Sequence, residues 1–177
     1  MKQHDSFSEL ADFHKQGKAD DDLALTNLDE IKIASINVAD QALRSIYIVT
    51  PNLEPLIYDN PDLLDKLLTL CRGNRHASIR ILVKDSSTAI KRGHGLIRLA
   101  QRLTTAIEVR KPMEEYLTQN LGFLLADNSA FVYRENCDMH KGISNLDCKY
   151  RGNALLELFN QAWEHSELDE QIRRLFI

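Results

Sequence analysis

The sequence predicts a single α/β domain built on a mixed β-sheet with helices packed on both faces. Three observations carry this expectation. Short apolar runs bounded by turn residues alternate with longer segments whose apolar positions recur every three to four residues. The run Ile79 to Val83 is almost continuously apolar, as an inner strand covered on both sides must be. Later, two adjacent strand-like runs flank Asp127-Asn128-Ser129, which reads as a tight hairpin turn.

Taken in order, residues 1–22 are polar, and the Ala19-Asp20-Asp21-Asp22 cluster offers nothing to bury, so they read as a flexible arm ahead of a domain spanning 23–177. Thr26 is placed to cap a helix running to about Arg44, with Leu28, Ile31, Ala34, Val38 and Ala42 on one face. The β-branched Ile31, Ile33, Ile36 and Val38 leave a strand as the competing reading. Ile46 to Val49 forms a short buried strand stopped by Pro51. Asn60 caps the next helix, Pro61 fits its first turn, Leu63, Leu64, Leu67, Leu68 and Cys71 line its inner face, and Gly73 ends it. Strand Ile79 to Val83 leads through Lys84-Asp85 into one helix, Thr88 to Leu103, and then to strand Ile107 to Arg110. The hairpin comprises Leu121 to Ala126 and Ala130 to Tyr133. A loop to Arg151, a helix from Ala154 to His165 and a last short helix carrying Leu168, Ile172 and Leu175 complete the chain.

At 177 residues the chain is long enough for one buried core and short for two ordinary domains. No repeat or low-complexity linker divides it. Hydrophobic residues at 44% and charged residues at 27% are globular values, which exclude disordered and fibrous classes. No apolar run approaches the roughly 18 residues that a membrane-spanning helix needs. The start MKQHDSFSEL lacks the cationic and apolar stretches of a signal peptide, and Cys71, Cys137 and Cys148 follow no disulfide spacing. A cytoplasmic protein with no membrane partner is expected. The net charge of −4 hides an asymmetry: residues 1–30 hold three Lys against eight Asp or Glu, whereas residues 72–111 hold ten Lys or Arg against two acids. That basic segment is either a solvated face or an attractor of phosphate-bearing ligands.

The order strand, helix, strand, helix, strand, then a hairpin opening on an Asp turn, resembles one half of a phospholipase D-like fold. That superfamily carries His-x-Lys-x-x-x-x-Asp entering the hairpin and Gly-Ser on the return strand. Counting from Asp127, the histidine position holds Asn120, the lysine position Gly122, and the Gly-Ser position Arg134-Glu135. The stretches Ile46 to Tyr58, Gly93 to Leu103, Phe123 to Asp127 and Phe159 to Leu175 are similar to a gammaproteobacterial family of unknown function within the superfamily, some relatives of which occur with GNAT-type acetyltransferase domains. The resemblance implies a phospholipase D-like fold without its catalytic set. Asn120 cannot form a phosphohistidine and Gly122 supplies no cation. Asp127 is then most simply a turn residue bonded to its own backbone. Because such enzymes build one site from two halves and this chain has residues for one, the resemblance also implies a homodimer.

The ligand-binding candidate is the Thr88 to Leu103 helix. His94, Arg98 and Arg102 recur at every fourth residue on one stripe, joined by Lys91, with Asp85 at the strand end to hold an Arg or the His. The stripe is either an anion cradle or a solvated face. Gly93 and Gly95 each cost a helix about 1 kcal/mol, so they suggest close backbone approach to a neighbour or ligand. Arg92-Gly93-His94-Gly95 compares poorly with the GNAT phosphate loop, since Ile97 fills a position that must be small. Cys137, His140 and Cys148 match no standard zinc spacing, so no metal is assigned. No cofactor is implied. The basic segment lacks interleaved aromatics, which argues against single-stranded nucleic acid and leaves shape-based phosphate contact open. The expected function is a non-catalytic binding or regulatory module for an anionic ligand or a protein partner. The alternatives are an enzyme-associated role beside a GNAT acetyltransferase and a phosphodiesterase rewired onto His94 or His140.

Overall fold

A computed structural model describes residues 21–116, 120–169 and 172. Its centre is one eight-stranded sheet in the order β1-β7-β6-β5-β2-β3-β4-β8. The strands are β1 (Leu23–Leu25), β2 (Ser45–Thr50), β3 (Ser78–Val83), β4 (Ile107–Pro112), β5 (Gly122–Ala126), β6 (Ala130–Arg134), β7 (Gly142–Asn145) and β8 (Ser166–Leu168). Strands β2, β3 and β4 run parallel, and every other pairing is antiparallel.

Strand side chains alternate faces, and the sequence exploits this to build two chemically different cores. Ile46 and Ile48 of β2, Ile79, Ile81 and Val83 of β3, and Leu124, Ala126, Ala130 and Val132 of the hairpin point to one side. There they meet helices α1 (Leu28–Gln41), α2 (Pro55–Tyr58), α3 (Pro61–Gly73), α4 (Ser87–Arg92) and α5 (Gly95–Arg102). Between those positions, Val49, Leu82, Phe123, Leu125, Phe131 and Tyr133 face the opposite side, covered by α6 (Lys149–Glu164) through Leu155, Phe159 and Trp163. The first core is largely aliphatic and the second largely aromatic. Arg80, the one polar residue of β3's apolar run, falls on the aromatic side, where it and Arg110 stand 5.4 and 4.5 Å from the Trp163 ring. Helices therefore cover both faces, as expected.

Several local expectations are revised. Helix α1 forms despite its β-branched residues, and its cap lies one residue later than expected, on Asn27, whose side chain accepts from the Glu30 N–H at 2.9 Å. Glu30 reaches back to the Thr26 N–H at 2.7 Å, closing a reciprocal cap. The single helix expected over Thr88 to Leu103 is two helices, broken at Gly93, whose φ of +73° closes α4 in the left-handed conformation. The loop expected before Arg151 contains β7, and α6 starts earlier than predicted, at Lys149. Leu168 lies in edge strand β8 and not in a terminal helix; Leu175 and residues 1–20 fall outside the described residues. Asp22, expected in the arm, accepts hydrogen bonds from Asn145 and from buried Arg151, tying β1 to β7 and α6.

Asp127 does more than turn the chain on itself. Its backbone is left-handed, with φ of +54°, and its carboxylate accepts from the N–H groups of Leu43, Arg44 and Ser45 at 2.9, 3.0 and 2.8 Å. Three donors at the entry of β2 are thus satisfied by one side chain more than 80 residues away. Asn tolerates the same backbone but offers a single neutral acceptor. Asp127→Asn is expected to lose about 1–3 kcal/mol in urea unfolding; a loss under about 0.5 kcal/mol, the scale of ordinary surface substitutions, would rule out the clamp.

Candidate functional site

The carboxyl end of β2 and the start of β5 meet where the motif comparison points. Beyond Thr50 the chain turns sharply through Leu53, a buried residue with φ of +63°, a conformation costing on the order of 1–3 kcal/mol. The turn is held by the Leu53 N–H donating to Thr50 Oγ1 at 3.2 Å and the Glu54 N–H donating to Asn52 Oδ1 at 3.0 Å. Its effect is to aim the Glu54 carboxylate inward. Arg134, at the end of β6, meets it at 2.5 Å, and both side chains are largely buried. The same guanidinium donates from Nη2 to the carbonyls of Cys137 at 2.6 Å and Met139 at 3.1 Å, folding the loop after β6 over the site. Its Nε–H is buried with no acceptor among the described residues.

Gly122 and Arg134 are direct partners across the β5–β6 ladder. By the motif comparison, Gly122 stands at the lysine position and Arg134 near the glycine position, so here the cation is on the second strand. The room that a side chain on residue 122 needs is already taken: a Cβ there would fall 2.6 Å from Cys137 Sγ and 3.1 Å from the Val49 carbonyl. Asn120 is half-buried, and its carbonyl accepts from the Cys137 N–H at 2.7 Å. Burial, reinforced by Glu54, pushes the Cys137 thiol up to about 12, so it is not a nucleophile at neutral pH. Burial also pushes the neighbouring Tyr58 hydroxyl well up, again with Glu54 adding to the effect. Lys84, at the exit of β3, is held below its ordinary value by partial burial. What this constellation can do chemically is hold itself shut: one internal carboxylate neutralises one internal cation.

The helix stripe is distributed differently. His94 is buried and caps α5, with its Nδ1 accepting from the Leu96 N–H at 3.1 Å and its Nε2 3.0 Å from the Leu53 carbonyl. Both ring nitrogens are therefore engaged inside the fold, and Asp85 does not touch the ring. Asp85 is exposed and accepts from the Ser87 N–H at 2.9 Å, which lowers its pKa. The Gly95 N–H donates to Asp59 Oδ1 at 2.7 Å, and a Cβ at Gly95 would meet that oxygen, so the close approach inferred there is to a neighbour within the fold. Arg98 turns its guanidinium back onto the Gly93 carbonyl. Lys91, Arg92, Arg98 and Arg102 are all exposed on α4 and α5, and none forms an ion pair among the described residues. Cys137, His140 and Cys148 do not converge: among the described residues no group of three His, Cys, Asp or Glu side chains is placed to share a metal ion. Arg134 and Glu54 were not singled out by sequence reading. Only the Gly-Ser position marked Arg134 as unusual.

Comparison with known proteins places this geometry. A family model described as "Domain of unknown function (DUF7931)" matches residues 27–175. The chain belongs to the DUF7931 family. Among solved structures, the DUF7931 domain is similar to Nuc from Salmonella typhimurium, a phospholipase D family member, with a TM-score of 0.57 and 12% identity over 77% of this chain and 89% of that one. It is similar to NucT from Helicobacter pylori, with a TM-score of 0.57 and 9% identity over 84% and 98% of the two chains. TrmBL2, an archaeal chromatin protein whose structure is described as showing a novel mode of DNA binding, gives a TM-score of 0.59 and 13% identity over 92% of this chain. The DUF7931 domain spans 60% of the length of TrmBL2. The fold is phospholipase D-like. No curated protein matches the chain. Among the described residues, no helix of the DUF7931 domain is long and apolar enough to cross a membrane.

His94 gives this domain a measurable pH response. Burial lowers its pKa below the ordinary 6.5, with nearby Asp59 opposing and Arg98 assisting. The unfolded chain then takes up the proton more readily than the folded one, so this contribution to stability is complete above about 6.5 and is lost as pH falls from there toward the folded pKa. His94→Asn keeps a capping oxygen for the Leu96 N–H and removes the titration. Urea unfolding between pH 7.5 and 5 should show a decline that is shallower in His94→Asn; parallel curves for the two proteins would contradict the assignment.

Proposed function

We propose that this chain is a non-hydrolytic phospholipase D-like module that binds an anionic partner through the cationic surface of α4 and α5. The observation that carries the reading is the exchange at Gly122 and Arg134. Phosphodiester transfer by the family's route needs a histidine nucleophile and cations left available for the phosphoryl oxygens. Here Asn120 stands at the nucleophile position, and the buried cation already holds the Glu54 carboxylate. Binding without turnover is the role that remains for the fold. Lys91, Arg92 and Arg102, joined by Arg98, whose guanidinium also bonds the Gly93 carbonyl, supply exposed positive charge without ion-pair partners among the described residues, the footprint of a surface that recruits polyanions in a salt-dependent way. TrmBL2, which this chain resembles over 60% of that protein's length, is described as binding DNA, a phosphate-rich partner.

Purified protein should leave bis-p-nitrophenyl phosphate unhydrolysed with or without added metal. Inorganic polyphosphate at low salt should raise the melting temperature, and the increase should shrink as salt rises above about 0.1 M, where screening sets in. The double variant Arg92→Glu, Arg102→Glu should abolish the increase, because neither side chain is used inside the fold. Turnover that disappears in Asn120→Ala, or an unchanged polyphosphate response in the double variant, would contradict the reading.

A further inference from the structure

A recess lies beside the start of α4, outside the carboxyl ends of β3 and β4, where ligands of open α/β sheets bind. Its volume is about 540 Å³, within the range of small-molecule sites. Lys84 and Asp85 form one wall, the end of β4 through Glu114 a second, and β8 the third. Its charges are of both signs, and not all of them are available to a ligand. Asp85 accepts from the Ser87 N–H, and Asp169 accepts from the Ser86 hydroxyl at 2.5 Å and from the Ile172 N–H.

Lys111, Glu114 and Glu167 are different. All three are exposed and form no hydrogen bond or ion pair with another described side chain, although Lys111 lies within electrostatic reach of Asp85 and Glu114 within reach of Lys84. Lys111 and Glu167 are direct partners in the β4–β8 register, so they project from the same face of the sheet, yet they do not pair with each other. Met113 and Leu168, each about half exposed at 49% and 50%, supply apolar surface to the lining of the recess. A simple anion entering here would face two glutamates, and a simple cation would face two lysines. A molecule carrying both charges beside an apolar group satisfies all three features.

We propose that this cleft binds a small apolar α-amino acid, its carboxylate directed to Lys111, its ammonium to Glu114 and Glu167, and its side chain against Met113 and Leu168. The proposal is independent of the polyanion surface, since it shares none of that surface's cations.

The test is calorimetric titration of the full chain with L-leucine, L-methionine and L-phenylalanine. The controls are 4-methylpentanoate, which is leucine without its amine, 3-methylbutylamine, which is leucine without its carboxylate, and inorganic phosphate. At least one amino acid should bind, and both truncated analogues should bind at least about tenfold more weakly, the scale of one charge-assisted contact. Lys111→Ala and Glu114→Gln should each weaken that amino acid by a similar factor while leaving the melting temperature without ligand unchanged. The proposal is overturned if none of the three amino acids binds, or if either analogue or phosphate binds as tightly. It is also overturned if binding survives both substitutions.

Discussion

Much of this molecule is organised by one buried ion pair, Arg134 with Glu54. Taking two charges out of water costs several kcal/mol for each ion, and only close geometry with further hydrogen bonds offsets it. The fold supplies both. The left-handed backbone at Leu53 and the Asn52 cap set the direction of Glu54, while β6 delivers Arg134 to the same depth. The carbonyls of Cys137 and Met139 accept from Nη2 of the same guanidinium, so the pair helps to hold the loop between β6 and β7. The glycine at position 122 is a consequence of the same arrangement, because the loop it admits presses Cys137 Sγ into the space of a missing Cβ.

This constraint connects packing to chemistry. The cation on the second hairpin strand, Arg134, is satisfied by an internal carboxylate and serves cohesion. The same burial pushes the Cys137 thiol up to about 12. Exposed charges without ion-pair partners among the described residues lie elsewhere, on short helices α4 and α5 and at the exit of β4.

The fold's centre was legible in the sequence because its signals are local. Apolar runs gave β2, β3, β4 and the hairpin, and Asn60 with Pro61 marked α3, which the structure caps through Asn60 Oδ1 to the Asp62 N–H. The edges were not legible. Strands β1, β7 and β8 are three or four residues long and gain their identity from partners far away in sequence, so no periodicity announces them. The helix over Thr88 to Leu103 has a continuous apolar period, but Gly93 and the capping imidazole of His94 divide it, and a stripe that needed continuity lost its first member to the interior. At the candidate site, Asn120 and Gly122 were marked by motif counting, which also marked Asp127 at the opposite end of the hairpin. Glu54 was not, because its role depends on a contact 80 residues distant.

The central claim is that Arg134 and Glu54 stabilise the fold as a mutually dependent pair, and a double-mutant cycle tests it most directly. Unfolding free energies would be measured for wild type, Glu54→Gln, Arg134→Met and the double variant. Each single substitution should cost about 3–5 kcal/mol, since it strands a buried charge. The double variant should then be no less stable than either single one, with a coupling of at least about 2 kcal/mol. Single substitutions that cost under about 1 kcal/mol and add in the double variant would contradict it, and with it the account of why Gly122 and Arg134 stand where they do.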